Sequence, residues 1–185
     1  MSEKGWRWIW QPDQGEGAEY FTFRSVPGGY EARGQVVAML EKAPLTATYV
    51  VDLTAAWRTR RVRIDVQDGA KLDILSDGAG NWRDADGRAL SALDGCIDTD
   101  ILVTPFTNTL PIRHLGLKVG EAAEIKVAYI TVPALTLHPA PQRYTRLAET
   151  RWRFEGLETD FTAELTVDAD GFVIEYPGLF LRTDA

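Results

Sequence analysis

The chain has 185 residues, 45% of them hydrophobic and 25% charged, which is the composition of a folded protein long enough for one good core. Disorder is excluded as the default, and one domain over residues 1–185 is the expectation. Twenty Lys and Arg against 27 Asp and Glu leave a net charge of -7, which disfavours phosphate backbones and anionic membrane surfaces by repulsion, so no nucleic-acid partner is expected.

Alternating patterns dominate along the chain, and turn residues recur before a helix of ordinary length could develop, so the fold class predicted is all-β with little or no helix. Residues 1–17 hold no apolar stretch of signal-peptide length, and no later segment approaches the ~20 apolar residues of a membrane span. A cytoplasmic protein without a transmembrane segment is the expectation. Trp6, Trp8 and Trp10 share one face of a first strand, and Phe21 and Phe23 share one face of the next. Gln35 to Lys42 fits either a helical turn or a strand. Thr46 to Leu53, rich in Thr, Val and Tyr, leads to Trp57 and to a run in which Val62, Ile64 and Val66 face one way. Parity puts Arg58 and Arg60 on that apolar face and Arg61 and Arg63 on the other. The four arginines read as a ladder of cross-strand charge pairs rather than a nucleic-acid contact.

Asp-Gly dipeptides begin at 68, 77, 86, 94 and 170, and they mark tight turns because both residues tolerate positive φ. The regular spacing of the first four predicts a meander of short strands. Glu124 to Val132 alternates, and Pro133, Pro139 and Pro141 then place the next stretch at an edge or in a loop. Trp152 and Phe154 share a strand face. Phe161 to Val167 and Phe172 to Tyr176 flank a turn at Asp168 to Gly171, which predicts a terminal hairpin before Pro177-Gly178.

Between these halves, Gly95 to Leu115 sets Asp98, Asp100, Asn108 and Arg113 among Ile97, Ile101, Leu102, Val103, Phe106, Leu110 and Ile112. A carboxylate taken from water needs a partner, so the segment is either a polar network that holds the fold or the polar end of a binding pocket. In an extended strand, Asp98 and Asp100 share a face with Cys96 and Leu102. Two like charges so close require a cation or a shared proton. By parity Arg60 and Arg113 are the expected partners, since a guanidinium bonds a carboxylate through two parallel hydrogen bonds. The run from Thr104 to Pro111, with two prolines, should form a defined loop. Thr107, Asn108 and Thr109 either hold that loop in shape or meet sugar-like hydroxyl groups.

Standard catalytic signatures are few. The chain has no glycine-rich phosphate loop, no Gly-x-Ser-x-Gly elbow, one cysteine and two histidines without ligand spacing, so neither a cofactor nor a metal is expected. His114 reads as a surface or hydrogen-bonded histidine rather than a base, and Cys96 as a small buried hydrophobe. Asp98 and Asp100 could serve as the acid and base of glycoside hydrolysis, which needs two carboxyl groups about 5 to 9.5 Å apart.

Four blocks, Trp57 to Val62, Asp94 to Asp100, Thr104 to Arg113 and Glu175 to Phe180, together resemble the bacterial putative glycolipid-binding family, formerly a domain of unknown function. The resemblance spans nearly the whole chain, and Asp94 to Arg113 is its most specific part. His114 departs from it, since a second arginine is expected after Arg113. It implies a spiral β-roll, in which one long antiparallel sheet curls round on itself, and the binding of a glycolipid or another amphipathic small molecule. The candidate polar contacts are then Arg60, Asp98, Asp100, Asn108 and Arg113. Trp57 and Tyr176 are candidate aromatic contacts in a groove partly lined by tryptophans. Two other functions stay open: a hydrolase or lyase acting on a sugar-containing substrate through Asp98 and Asp100, and a structural or interaction domain without a small ligand.

Overall fold

The computed structural model describes residues 3–11, 13–40 and 42–183. Seven strands precede the central segment: β1 (Lys4–Trp10), β2 (Glu16–Val26), β3 (Gly29–Leu40), β4 (Ala43–Thr54), β5 (Thr59–Val66), β6 (Lys71–Ser76) and β7 (Trp82–Asp84). The central segment holds β8 (Asp98–Ile101), a 3₁₀ turn at Pro105–Asn108 and the short helix α1 (Thr109–His114). Then follow β9 (Ala122–Ile130), β10 (Leu137–Arg146), β11 (Arg151–Gly156), β12 (Thr162–Val167), β13 (Val173–Tyr176) and β14 (Phe180–Thr183).

All fourteen strands belong to one sheet in the order β7-β6-β5-β4-β3-β2-β1-β14-β13-β12-β11-β10-β9-β8. Every neighbouring pair is antiparallel except β8 on β9. Two meanders therefore spread from a seam where the first strand meets the last. The sheet has to curl. Laid flat, its two edge strands would lie roughly 60 Å apart at ordinary strand spacing, whereas residues 85–97, which join β7 to β8, could span at most ~45 Å. Twist turns the ribbon on itself, and the edges meet without ladder closure. The Trp82 indole N–H donates to the Cys96 carbonyl at 2.7 Å, and the Gly95 N–H donates to Gly80 at 2.9 Å.

The core fills the inside of the roll. All six tryptophans are buried, Trp8 completely. Trp6 and Trp8 meet edge-on at 5.6 Å and both pack on Phe21. Phe106, fully buried on the 3₁₀ turn, reaches that cluster with its ring 4.9 Å from Phe21. Gly34 on β3 leaves room for what faces it. A Cβ there would lie 2.1 Å from the Tyr49 ring and 2.5 Å from Glu19 Oε1, so Gly34→Ala should cost ~1–3 kcal/mol through overpacking. Urea denaturation checks this, and an unchanged midpoint would count against the close fit of Tyr49 and Glu19.

The ambiguous Gln35 to Lys42 proves to be strand through Leu40, in β3. Asp-Gly at 68, 77 and 170 turns a hairpin, but Asp94-Gly95 does not; Gly95 there takes φ +84° on the way into β8. Pro139 and Pro141 sit in β10 rather than at the rim of the sheet. Residues 137–141 pair with β9 alone, and the Pro141 carbonyl accepts from Leu157 on the other side, so the prolines spend their missing N–H groups on a local open edge.

The parity assigned to Arg60 fails at a β-bulge. Asp52 pairs with Arg61 but Leu53 pairs with Thr59, so Thr59 and Val62 both turn inward and Arg60 is exposed near Gly28. Arg61 and Arg63 do form the expected outer ladder. Arg61 bonds Asp73 through both carboxylate oxygens at 2.7 and 2.6 Å, and Arg63 bonds Asp52 at 2.7 Å.

Candidate functional site

The expected loop from Thr104 to Pro111 is helical instead. Pro105 opens the 3₁₀ turn and Pro111 lies in the first turn of α1, positions where a missing N–H costs nothing. Thr104 caps the turn by accepting the Phe106 N–H at 3.1 Å. Thr107 then donates to Asp100 Oδ1 at 3.0 Å, while Gln142 Nε2 on β10 donates to Asp100 Oδ2 at 2.6 Å. Asn108 Nδ2 donates to the Tyr144 hydroxyl at 2.9 Å, which places that hydroxyl 3.5 Å from Gln142 Oε1. Burial pushes the Asp100 carboxyl above its ordinary range, and the bonds from Gln142 and Thr107 only partly oppose that.

Asp100, Thr104, Asn108 and Gln142 line the polar part of a cavity of about 440 Å³, a size suited to a small-molecule ligand, with Thr107 and Tyr144 supporting them from behind. It lies where β11 and the chain after it part from the proline half of β10. Phe154, Phe161, Tyr176 and Phe180 make a continuous aromatic wall, with successive centroids 6.0, 6.2 and 6.1 Å apart. Tyr129 and Leu102 line the other side, while the exposed His138, Glu158 and Phe161 mark the mouth. Gln14, from the β1–β2 turn, also lines the cavity and donates to the Leu102 carbonyl at 3.2 Å.

Of the residues singled out in the sequence, Asp100, Asn108 and Tyr176 come together on this cavity. Asp98, Trp57, Arg60 and Arg113 do not line it. Asp98 is fully buried beside His114 Nε2 at 2.6 Å, so the acid's partner is this histidine and not an arginine. Successive helix residues point in different directions, and on α1 His114 turns in while Arg113 turns out to cover the Trp57 ring at 4.8 Å. Trp57 itself, at φ +62°, stacks on Phe23 at 5.1 Å in the core. None of the six tryptophans lines the cavity; its aromatic wall is phenylalanine and tyrosine. The two acids share a strand face but not a site, so they do not flank one bond as an acid–base pair must.

Gln142 and Tyr144 escaped sequence reading, since inward parity on a proline-bearing strand gives no hint of what they meet. Glu19 carried a signal that went unread: parity sets it on the face of Phe21 and Phe23. It is fully buried, accepts from the Tyr49 hydroxyl and from Thr104 Oγ1 at 3.1 Å, and has no partner at Oε2 among the described residues. Desolvation raises its pKa to about 8 against those two bonds. Thr104 thus joins this buried acid to the cavity wall. Cys96 is buried too, and burial pushes its thiol up to about 11, as suits an inert core residue. No three His, Cys, Asp or Glu among the described residues are grouped to hold a metal ion.

The model of the family described as putative glycolipid-binding matches residues 7–182. The chain belongs to that family. It is also similar to the crystal structure of a DUF1089 family protein from Pseudomonas aeruginosa, at 42% identity and a TM-score of 0.81, over 89% of this chain and 92% of that one. No curated protein matches. Membership agrees with the resemblance read in the four sequence blocks. No helix among the described residues is long and apolar enough to cross a membrane.

Proposed function

We propose that the chain is a non-catalytic binding protein that takes an amphipathic molecule of glycolipid type into the cavity beside the proline half of β10, and that it does so in the cytoplasm. One observation carries the reading: the cavity has a hydrogen-bonded polar end at Asp100, Gln142 and Asn108 and a continuous apolar wall from Phe154 to Phe180. That is the division an amphiphile needs, with a sugar ring at one end and a chain along the other. The family description supports the class of ligand. A single, buried cysteine in a fold without disulfides suits a reducing compartment.

Thermal denaturation with a panel of alkyl glycosides and glycolipids tests it. Ligand that binds only the folded state at about 100 times its Kd adds ~2.7 kcal/mol, which is several degrees in Tm. Ala140→Trp, which fills the cavity from β10, should abolish the shift while leaving the circular dichroism of the sheet intact. Because no tryptophan lines the cavity, the native emission should change little, and Phe161→Trp at the mouth should supply a responsive reporter. Absence of any shift across the whole panel would refute the proposal.

A further inference from the structure

The cavity's charge narrows its ligand beyond the class of amphiphile. Two carboxylates face it, Asp100 at the polar end and Glu158 at the mouth, and no Lys or Arg lines it among the described residues. The remaining polar lining is neutral amide and hydroxyl, apart from exposed His138, which lies against the Tyr129 ring at 5.0 Å. Phosphate, sulfate and carboxylate groups are normally held by Arg, Lys or free backbone N–H groups at a helix N-terminus. The one helical start beside the cavity offers little of this, since the Thr104 hydroxyl already takes the Phe106 N–H and itself donates to Glu19. An anion placed near Asp100 would be desolvated without a countercharge.

A hydroxyl-rich neutral headgroup meets none of these penalties. Burial raises the Asp100 carboxyl, but Thr107 and Gln142 each donate to one of its oxygens and so favour the carboxylate form, in which each oxygen can accept a second bond from a ligand hydroxyl. Asn108 and Gln142 offer further amide groups alongside, and ring faces such as Tyr176 suit the apolar side of a pyranose. We propose that the cavity selects uncharged, hydroxyl-bearing amphiphiles and rejects those with anionic headgroups, with Asp100 as the group that reads the charge. This rests on the binding reading above and adds headgroup selectivity to it.

Calorimetric titration of the full chain at pH 7.5 with a matched pair, decyl β-glucoside and decyl β-glucuronide below their micelle concentrations, tests it. The two differ only where a hydroxymethyl becomes a carboxylate. The glucoside should bind at least about tenfold more tightly, a difference of ~1.4 kcal/mol. Asp100→Asn, nearly isosteric, should shrink that ratio to about threefold or less, with Phe161→Trp emission in the same background reporting that the cavity still forms. A glucuronide that binds as tightly as the glucoside would overturn the selectivity and leave the binding reading standing. An unchanged ratio in Asp100→Asn would overturn the role of Asp100. If neither compound nor any longer alkyl glycoside binds, the binding reading fails, and the selectivity fails with it.

Discussion

Replacing Glu19 by Gln should flatten the fall in stability of this protein between about pH 5 and 8, and at pH 7 the neutral side chain should be favoured by roughly 3 kcal/mol. Glu19 is completely buried on β2 and its carboxyl is held at about 8, against 4.5 for an ordinary glutamate, because burial penalises the charge more than Tyr49 and Thr104 stabilise it. The folded state therefore binds a proton that the unfolded state has released across this window. Below the unfolded value both states are protonated and the contribution is fully present. As pH rises toward the folded value it is lost, by about 1.4 kcal/mol per pH unit, and above that value it changes no further.

Glu19→Gln would keep an acceptor for Tyr49 and Thr104 but put an N–H₂ where Oε2 now has no partner, which costs ~1–3 kcal/mol and lowers the absolute gain. The slope is the cleaner measurement. Urea denaturation of both proteins at half-unit pH steps gives it, since other titrating groups cancel in the difference. A difference that stays constant from pH 5 to 8 would show that Glu19 is ionised when folded.

Phe106→Ala should cost ~3–5 kcal/mol, the usual penalty for emptying a fully buried aromatic site. Phe106 does more than fill space. Its ring stands 4.9 Å from Phe21 and 6.3 Å from Phe23, so it anchors the turn whose neighbours Thr104, Thr107 and Asn108 supply or support the polar end of the cavity. Loss of the ring should weaken glycoside binding along with stability, while Phe106→Leu should recover much of both. Equilibrium denaturation and calorimetric titration of the two variants separate the effects. A loss under about 1 kcal/mol for the alanine variant would remove Phe106 from its role as the anchor.

What the sequence determined by itself was the strand content and much of the inward face. Alternation at Trp6, Trp8 and Trp10, at Phe21 and Phe23 and at Trp152 and Phe154 survives in the structure because period two is a local property of an extended chain. The outer pairs of Arg61 and Arg63 followed from the same rule. Parity failed where the backbone broke step: a single bulge beside Arg60 reversed its side, and two prolines that exclude a strand proved to start helical turns.

Tertiary structure alone decided the partners. Asp98 and His114 are sixteen residues apart and meet because α1 folds back on β8, whereas Asp100 and Gln142, forty-two residues apart, meet only because β8 lies on β9 with β10 beyond it. The cavity likewise opens where β11 ends opposite Gln142 and leaves the proline half of β10 without a second neighbour, and its walls come from strands far apart in the chain, so no local pattern announces it. Periodicity tells which way a side chain points, because that depends on its neighbours in the chain. What it meets there depends on how fourteen strands curl, and that is set by the packing of the whole roll.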